Sequence, residues 1–465
     1  MKKKTLIAVI AGSVAALSLL VLSTLFCLRV KQFSHPQEVA ELSRIQNAFL
    51  QEQLDKNFPE RLALIHSLPY KTIDANLFIN AKSAILIDTQ TGSILFEKNA
   101  DMQIPPASMT KLVEMYVVFE AVEKGEVSLD DIVPLPPQSW AINLPQDASI
   151  MFLAEGQQVT LNELLLGLAI ASGNDASIAV ANYICGNMED FVKRMNLVVE
   201  DLGLTHTHFV ESSGYSELNV TTAREFASFS RAYINRFGFA LEKYHSQNVL
   251  RYPLQHNLAP NQQNQGDSQA VTQYNTNKLL GKLQGCDGLK TGYIDESGYN
   301  LALTAQRNNM RFLSVTMGGP GKGSVQGNQY RVADGFTLMN YAFDSFADYH
   351  APKDPNAHCV TVNLAGAKEK SVRLVPAYDE TFTVPFITGA TPQEAANLVE
   401  IDIQAPKAIY GEVLCAKEYG KITYSLNGIV LRTVPLVADR SVTKASALKQ
   451  VWDKAALFVS NRLTQ

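Results

Sequence analysis

Cysteine is scarce. Five cysteines in 465 residues do not make the disulfide framework of a small secreted scaffold. Cys27 falls in an apolar N-terminal run, and Cys185 and Cys286 sit in apolar contexts typical of buried thiols. Only Cys359 and Cys415 remain as a possible pair, which sequence neither joins nor separates. A basic excess is also lacking. Forty Lys and Arg against 45 Asp and Glu give a formal charge of −5, without the cationic footprint of a nucleic-acid binder. Metal-ligand spacing is missing as well: the eight histidines include no H-E-x-x-H. His206 and His208 alternate with threonines but have no third ligand beside them, so neither metal nor cofactor is expected. What is present is a globular composition, 46% hydrophobic and 18% charged, in a chain long enough for two or three domains.

Lys2, Lys3 and Lys4 precede an uncharged segment from Thr5 to Leu28, with Arg29 and Lys31 beyond it. A secretory signal has a core of about 7–15 apolar residues and a spanning helix needs about 20; this segment matches the longer class. No small-x-small cleavage site stands near its end, and Thr24-Leu25-Phe26 lacks the small residue a lipoprotein carries before its cysteine. Residues 1–35 therefore read as a retained signal anchor, with a cleaved signal peptide as the second reading. The lysines keep the short N-terminus cytoplasmic and the bulk exported. Residues 36–75, rich in Gln, Glu, Leu and Ala, read as a helical or extended stalk.

From Ala84 two short apolar runs, Ala84–Asp88 and Ser93–Phe96, flank a Gly-containing turn and predict a buried hairpin. Pro105-Pro106-Ala107-Ser108-Met109-Thr110-Lys111 comes next and opens an apolar helix running through Phe119. Proline starts a helix but cannot continue one, so Ser108 belongs in the first turn, near unpaired N–H groups. Lys111, three residues on, shares its face. A hydroxyl beside an amine able to take its proton is the minimum for an activated nucleophile. The S-x-x-K pattern also recurs at Ser441/Lys444 and Ser446/Lys449, so alone it is better explained by a capping serine and a solvated lysine.

The residues downstream of Ser108 settle the matter. Thr160-Leu161-Asn162-Glu163 is a capping box ahead of an apolar helix, which ends at Ser172-Gly173-Asn174-Asp175 before another helix. A polar Gln/Asn-rich loop spans about 255–277. Three antiparallel strands are predicted next, around Gly285–Tyr293, Tyr299–Ala305 and Phe312–Met317. The first carries Lys290-Thr291-Gly292, and a glycine inside a strand marks close approach of a ligand or another backbone. Beyond His350 alternating strands, with a hairpin turn at Asn427-Gly428, predict a small β-sandwich domain. The tail places Leu448, Val451, Trp452, Ala455, Phe458 and Val459 at helical spacing. It reads equally as an amphipathic helix on a membrane surface and as one docked on a neighbouring domain.

The order S-x-x-K, S-x-N, K-T-G resembles the signature of active-site-serine enzymes that act on penicillin or D-alanyl peptides. From Leu77 to Asp439 the chain is similar to the low-molecular-mass penicillin-binding proteins, the serine D-alanyl-D-alanine carboxypeptidases. Its later segment, with Ala405-Pro406, Gly411 and Val434-Pro435-Leu436-Val437, resembles their β-rich C-terminal domain. The resemblance implies an α+β fold, the penicillin-binding/β-lactamase-like transpeptidase arrangement of antiparallel sheet and helices over 76–350. A small all-β domain would follow over 351–440 and an amphipathic helix over 441–465. It also implies Ser108 as the acylated nucleophile, Lys111 as general base and Ser172 as proton relay. Asn174 would hold the substrate amide, while Lys290, Thr291 and Gly292 of the third motif, with Arg331, would bind the terminal carboxylate. The backbone N–H groups of Ser108 and Tyr293 would form the oxyanion hole. The partners implied are peptidoglycan stem peptides, β-lactams as covalent inhibitors and the extracytoplasmic (periplasmic) face of the cytoplasmic membrane. Arg331 read without the resemblance is an ordinary surface arginine on a helix.

Two departures bear on substrate preference: Asn275-Thr276-Asn277 where many relatives carry Asn-Arg-Asn, and Glu225 where aspartate is common. Glu217-Leu218-Asn219 lacks the Glu-x-x-Leu-Asn spacing of a class A β-lactamase, so rapid penicillin hydrolysis is not expected. A D,D-endopeptidase and a catalytically silent wall-binding protein are the alternatives, the latter disfavoured by the complete set of motif residues.

Overall fold

The structure is a computed structural model that describes residues 2–72, 75–259, 270–354, 356–385 and 391–463. Residues 260–269, the middle of the polar loop expected before Asn277, lie outside the described residues. The chain divides into two compact units, residues 64–348 with 383–393, and residues 1–63 with 349–382 and 394–465.

The first unit is built on six strands: β1 (His66–Ser67), β2 (Ser83–Asp88), β3 (Ser93–Lys98), β4 (Cys286–Ile294), β5 (Gly298–Arg307) and β6 (Met310–Gly319). They lie in the spatial order β1-β3-β2-β6-β5-β4. Every neighbouring pair is antiparallel except β1 with β3. The predicted hairpin is β2–β3 and the predicted three-stranded stretch is β4–β5–β6. All of β2 is buried, because each face of the sheet is covered. Ile85 and Ile87 face a core that contains most of the Lys111–Glu123 helix. Ala84 and Leu86 face a second core containing Leu338, Met339, Ala342 and Phe343 of the Gly323–Ser345 helix. A strand covered on both faces reads as an unbroken apolar run, which is how Ala84-Ile85-Leu86-Ile87 reads. Strand β4 lies at the sheet's edge with β5 as its one neighbour.

The second unit carries a six-stranded mixed sheet. Its order is Glu400–Gln404, Glu418–Leu426, Ile429–Ala438, Ser371–Pro376, Val360–Ala365 and Ala408–Tyr410, the last pair parallel. Asn427 and Gly428 join two of these strands with φ +50° and +77°, the left-handed pair that a two-residue hairpin turn requires. Within the segment expected to be a helical or extended stalk, the structure builds a helix, Arg44–Asn57, capped by a Ser43/Gln46 box. Its Leu50 and Leu54 are buried against Ala377, Ala416 and Val437 of the sheet domain. Spaced four apart on one face, they give that helix a reason to dock. Cys415 is a free thiol directed at the Asp439 carbonyl.

Candidate active site

Three segments of the first unit meet around Ser108. Residues Ala107–Thr110 form one 3-10 turn that runs straight into the Lys111–Glu123 helix, so Ser108 lies just ahead of the α-helix. Two glycines let other chain segments approach this turn. A Cβ on Gly214 would lie 1.9 Å from the Ala107 carbonyl oxygen, and one on Gly292 would lie 2.4 Å from that of Pro106 and 3.2 Å from the Ser108 nitrogen. Strand β4 therefore packs backbone to backbone against the Ser108 turn, and the sequence requirement at 292 is absence of a side chain. Gly292→Ala is expected to push β4 away from the Ser108 turn, lowering the rate of any covalent reaction in this cleft at least about tenfold, a sensitivity typical of small misplacements of reacting groups. Stopped-flow kinetics with a chromogenic β-lactam measures it.

The S-x-N segment arrives by a different route. Thr160 and Glu163 make the predicted capping box, and the helix they start ends at Ser172 in left-handed conformation, φ +59°. The next helix, Asn174–Cys185, begins at once. Asp175 fixes the junction by accepting N–H bonds from Met151 (2.8 Å), Leu153 (3.0 Å) and Ala176 (2.9 Å). Burial raises its carboxyl pKa and those N–H bonds pull it back.

The polar side chains then close into a network. Lys111 Nζ donates toward Ser108 Oγ at 3.2 Å, Asn174 Oδ1 at 2.8 Å and the Ser213 carbonyl at 2.5 Å. Lys290 Nζ donates to Ser172 Oγ at 2.9 Å and to its neighbour's carbonyl at 3.1 Å. The Thr291 hydroxyl donates to Thr276 at 2.7 Å. Lys111 and Lys290 are 0% and 1% exposed. Burial holds the Lys111 amine far below the ordinary lysine range, at about 8, against the raising pull of Glu114, Glu211 and Asp175. Burial also drives Lys290 well below its ordinary value, and the Lys111 and Arg331 cations push it the same way.

Arg331 is 8% exposed, not a surface residue. Its guanidinium lies 4.9 Å from the Tyr299 ring centroid, with Nη1 3.5 Å from the Asn300 carbonyl. Tyr299 in turn packs against Tyr293, ring centroids 4.3 Å apart and planes tilted by 31°. Tyr293 is 45% exposed and lines a cleft of ≈ 450 Å³ with Ser108, Asn174, Gly214 and Tyr215. Ser108, Lys111, Ser172, Asn174, Lys290, Thr291 and Gly292 are thus brought together, with Tyr293 at the rim and Arg331 behind it.

Thr276, at the first departure, supports Thr291, while the Asn277 amide donates to the Gly288 carbonyl. Glu225, at the second, accepts from the His206 N–H and the Thr207 hydroxyl.

Sequence reasoning misses three contributors. Ser213 supplies a carbonyl to Lys111, and Glu211 shapes that turn by accepting from the N–H groups of Ser213 and Gly214 at 2.7 Å each. Glu114, one turn beyond Lys111, is wholly buried. Its carboxyl lies near the Ser177 hydroxyl, itself engaged with Ser212 at 2.6 Å, and neither oxygen makes a well-formed hydrogen bond. Burial pushes its pKa up, opposed by Lys111. A lone acid within Leu112-Val113-Glu114-Met115-Tyr116 is the available signal.

A family model described as D-alanyl-D-alanine carboxypeptidase matches residues 71–321. The D-alanyl-D-alanine carboxypeptidase DacF of Bacillus subtilis is 31% identical, over 78% of this chain and 86% of its own. DacC of Escherichia coli is 30% identical, over 81% and 87%. Penicillin binding protein 5 from Haemophilus influenzae superposes with TM-score 0.66 at 28% identity, over 80% of this chain and 99% of its own. Together with the Ser108–Lys111 pair, these matches place the chain in the D-alanyl-D-alanine carboxypeptidase family, as a serine hydrolase of the penicillin-binding type that releases the terminal D-alanine of peptidoglycan stem peptides.

Proposed function

We propose that Ser108 is the nucleophile of this hydrolysis and Lys111 its base. The observation that carries the reading is the position of Lys111 Nζ, fixed by Asn174 and the Ser213 carbonyl with Ser108 Oγ as its third neighbour. As a free amine, Lys111 donates its two protons to those fixed acceptors and turns its lone pair to Ser108. Ser108 Oγ attacks the carbonyl carbon of the penultimate D-alanine and its proton passes to Lys111. The backbone N–H groups of Ser108 and Tyr293 receive the oxyanion. Ser172, already accepting from Lys290, directs its own proton to the departing D-alanine amine and regains one from the Lys111 side. Water then hydrolyses the acyl-enzyme.

Lys290, the Thr291 hydroxyl and the Arg331 cation behind them bind the terminal carboxylate, and the Asn174 amide nitrogen holds the substrate's peptide carbonyl. The open edge of β4 accommodates an extended peptide. β-Lactams enter the same site and acylate Ser108. Fluorescent penicillin is expected to label the protein covalently, and a pentapeptide to lose one D-alanine. Absence of both would overturn the assignment.

Glu114 tunes the base. Its negative charge holds the Lys111 pKa up, so removing that charge lowers it. Burial pushes the Glu114 carboxyl up to about 8, so its charge acts as it ionises, and Glu114→Gln is expected to move the acid limb of the acylation profile to lower pH. Acylation rates between about pH 5.5 and 9 check it, and an unmoved limb in a folded variant would remove Glu114 from the base's electrostatics.

The N-terminal helix, Lys2–Gln32, includes a stretch, Ala11–Gln32, long and apolar enough to cross a membrane. In our reading it is retained and holds the enzyme at the extracytoplasmic face of the cytoplasmic membrane. Carbonate-washed membranes are expected to keep the full-length chain, its N-terminal peptide included; a soluble, shortened chain would refute the anchor.

A further inference from the structure

The end of the N-terminal helix packs along one side against the sheet and the C-terminal helix of the second unit, with Phe33 buried among Ala365 and Ala456. Arg29 Nε and Nη2 pair with Asp453 of the C-terminal helix, Ala447–Leu463, at 2.7 and 3.0 Å. Arg29 Nη2 also donates to the Leu364 carbonyl at 2.9 Å, and Asp453 accepts the Gly366 N–H at 2.9 Å. Asp453 is 1% exposed, so this pair is a fixed joint and neutral as a unit. Phe26 meets Trp452 edge to face, centroids 5.2 Å apart.

Beside the joint runs a groove of ≈ 480 Å³, lined by Leu22, Leu25, Leu28 and Trp452 and, at its polar end, by Lys370 and Lys449. Its volume falls in the range that holds small ligands, about 300–1,000 Å³. The lining charges do not cancel. With Arg29 and Asp453 paired, the two lysines leave a surplus of two positive charges, and no further acid lines the groove. Lys449 is held in place by the Ala367 and Lys368 carbonyls, at 2.6 and 3.3 Å, which leaves one of its three N–H groups available. At 1.5 Å per residue, Leu22 lies about 10 Å along the helix from Arg29. The leucine stripe thus occupies the last two turns of the uncharged run that ends at Leu28, and Arg29, which follows it, lines the same groove as the two lysines. A second groove on this helix pair, ≈ 350 Å³, has Lys31 as its one charged lining residue.

We infer that the lysine-capped groove is a binding site for one anionic glycerophospholipid of the surrounding bilayer. Its phosphate meets Lys370 and Lys449, its acyl chain lies along Leu22, Leu25 and Leu28, and the Trp452 ring stands at the boundary between them. The inference rests on the membrane-anchored reading of the N-terminal helix.

The chain has two tryptophans, Trp140 and Trp452, so Trp140→Phe leaves Trp452 as the sole indole reporter. The full-length Trp140→Phe protein is reconstituted in phosphatidylcholine vesicles carrying a small fraction of bromine-tailed phosphatidylglycerol or, separately, bromine-tailed phosphatidylcholine. Two lysines facing one phosphate predict enrichment of the anionic lipid beside Trp452 on the order of tenfold, read as stronger quenching. In Lys370→Gln/Lys449→Gln that preference disappears, while flotation with vesicles and penicillin labelling persist. Equal quenching by both lipids, or a preference that survives in the double variant, overturns the site and leaves the anchor intact. Loss of flotation by the parent protein overturns the anchor, and the lipid site with it.

Discussion

Ser108→Ala is expected to abolish covalent labelling by penicillin and to lower D-alanine release by at least about 10³-fold, the scale on which removing a nucleophile acts when binding groups remain. The hydroxyl is held by the 3.2 Å contact from Lys111, and the residue is half-buried beside the cleft. Its loss changes stability by no more than about 1 kcal/mol. The variant therefore folds, and Lys290, Thr291 and Asn174 keep their positions. Substrate is expected to bind it with nearly unchanged affinity while no acyl-enzyme forms. Intact-mass spectrometry after β-lactam exposure gives the first readout, and calorimetric titration of a pentapeptide gives the second. The copies at Ser441 and Ser446 provide an internal contrast, since they lie in the tail without a S-x-N or K-T-G partner after them. A penicillin adduct on the alanine variant would move the nucleophile elsewhere.

That contrast also indicates how far sequence reaches. The chemistry proposed for Ser108, Ser172, Asn174 and Lys290 is carried by side-chain identities in a fixed order, and such a pattern is visible before any fold is known. The hairpin, the Thr160 cap and the Asn427-Gly428 turn are equally local, each set by neighbours within a few residues. Contacts made by backbone atoms across long separations are another matter. The Ser213 carbonyl at Lys111 is contributed by a residue 102 positions away, and nothing in Ser212-Ser213-Gly214 distinguishes it from an ordinary turn. Gly292 in its strand signals a close approach, but its partner, the Pro106 carbonyl, emerges only when β4 takes its place at the sheet's edge. Arg331 illustrates the same limit: a surface helix and a buried shelf behind Tyr299 give one sequence pattern. The segment around Leu50 and Leu54 carries a signal, two leucines one turn apart, that a polar composition hides.

Lys111→Met is expected to lower acylation by about 10² to 10⁴-fold, the usual contribution of a positioned general base. The substitution roughly conserves volume and removes a buried amine. It leaves the Asn174 and Ser213 acceptors without their donor, at a cost of about 1–3 kcal/mol, so the variant remains folded in a chain with cores of this size. The pH profile separates a lost base from a lost contact. In the proposed mechanism the active form is the free amine, and Lys111 is held at about 8. Acylation should rise with pH, roughly tenfold per unit well below that value, and level off above it. Lys111→Met should be slow and flat over the same range; a rise parallel to the wild type's would mean that another group accepts the proton. Lys290 links this behaviour to substrate. Burial and the neighbouring cations hold its pKa low in the free enzyme, and a bound carboxylate favours its charged form. A charged Lys290 then repels a proton from Lys111, so carboxylate binding frees the base at the moment Ser108 needs it. Carboxylate-bearing substrates should therefore show an acid limb at lower pH than their C-terminal amides, and Lys290→Met should bring the two limbs together.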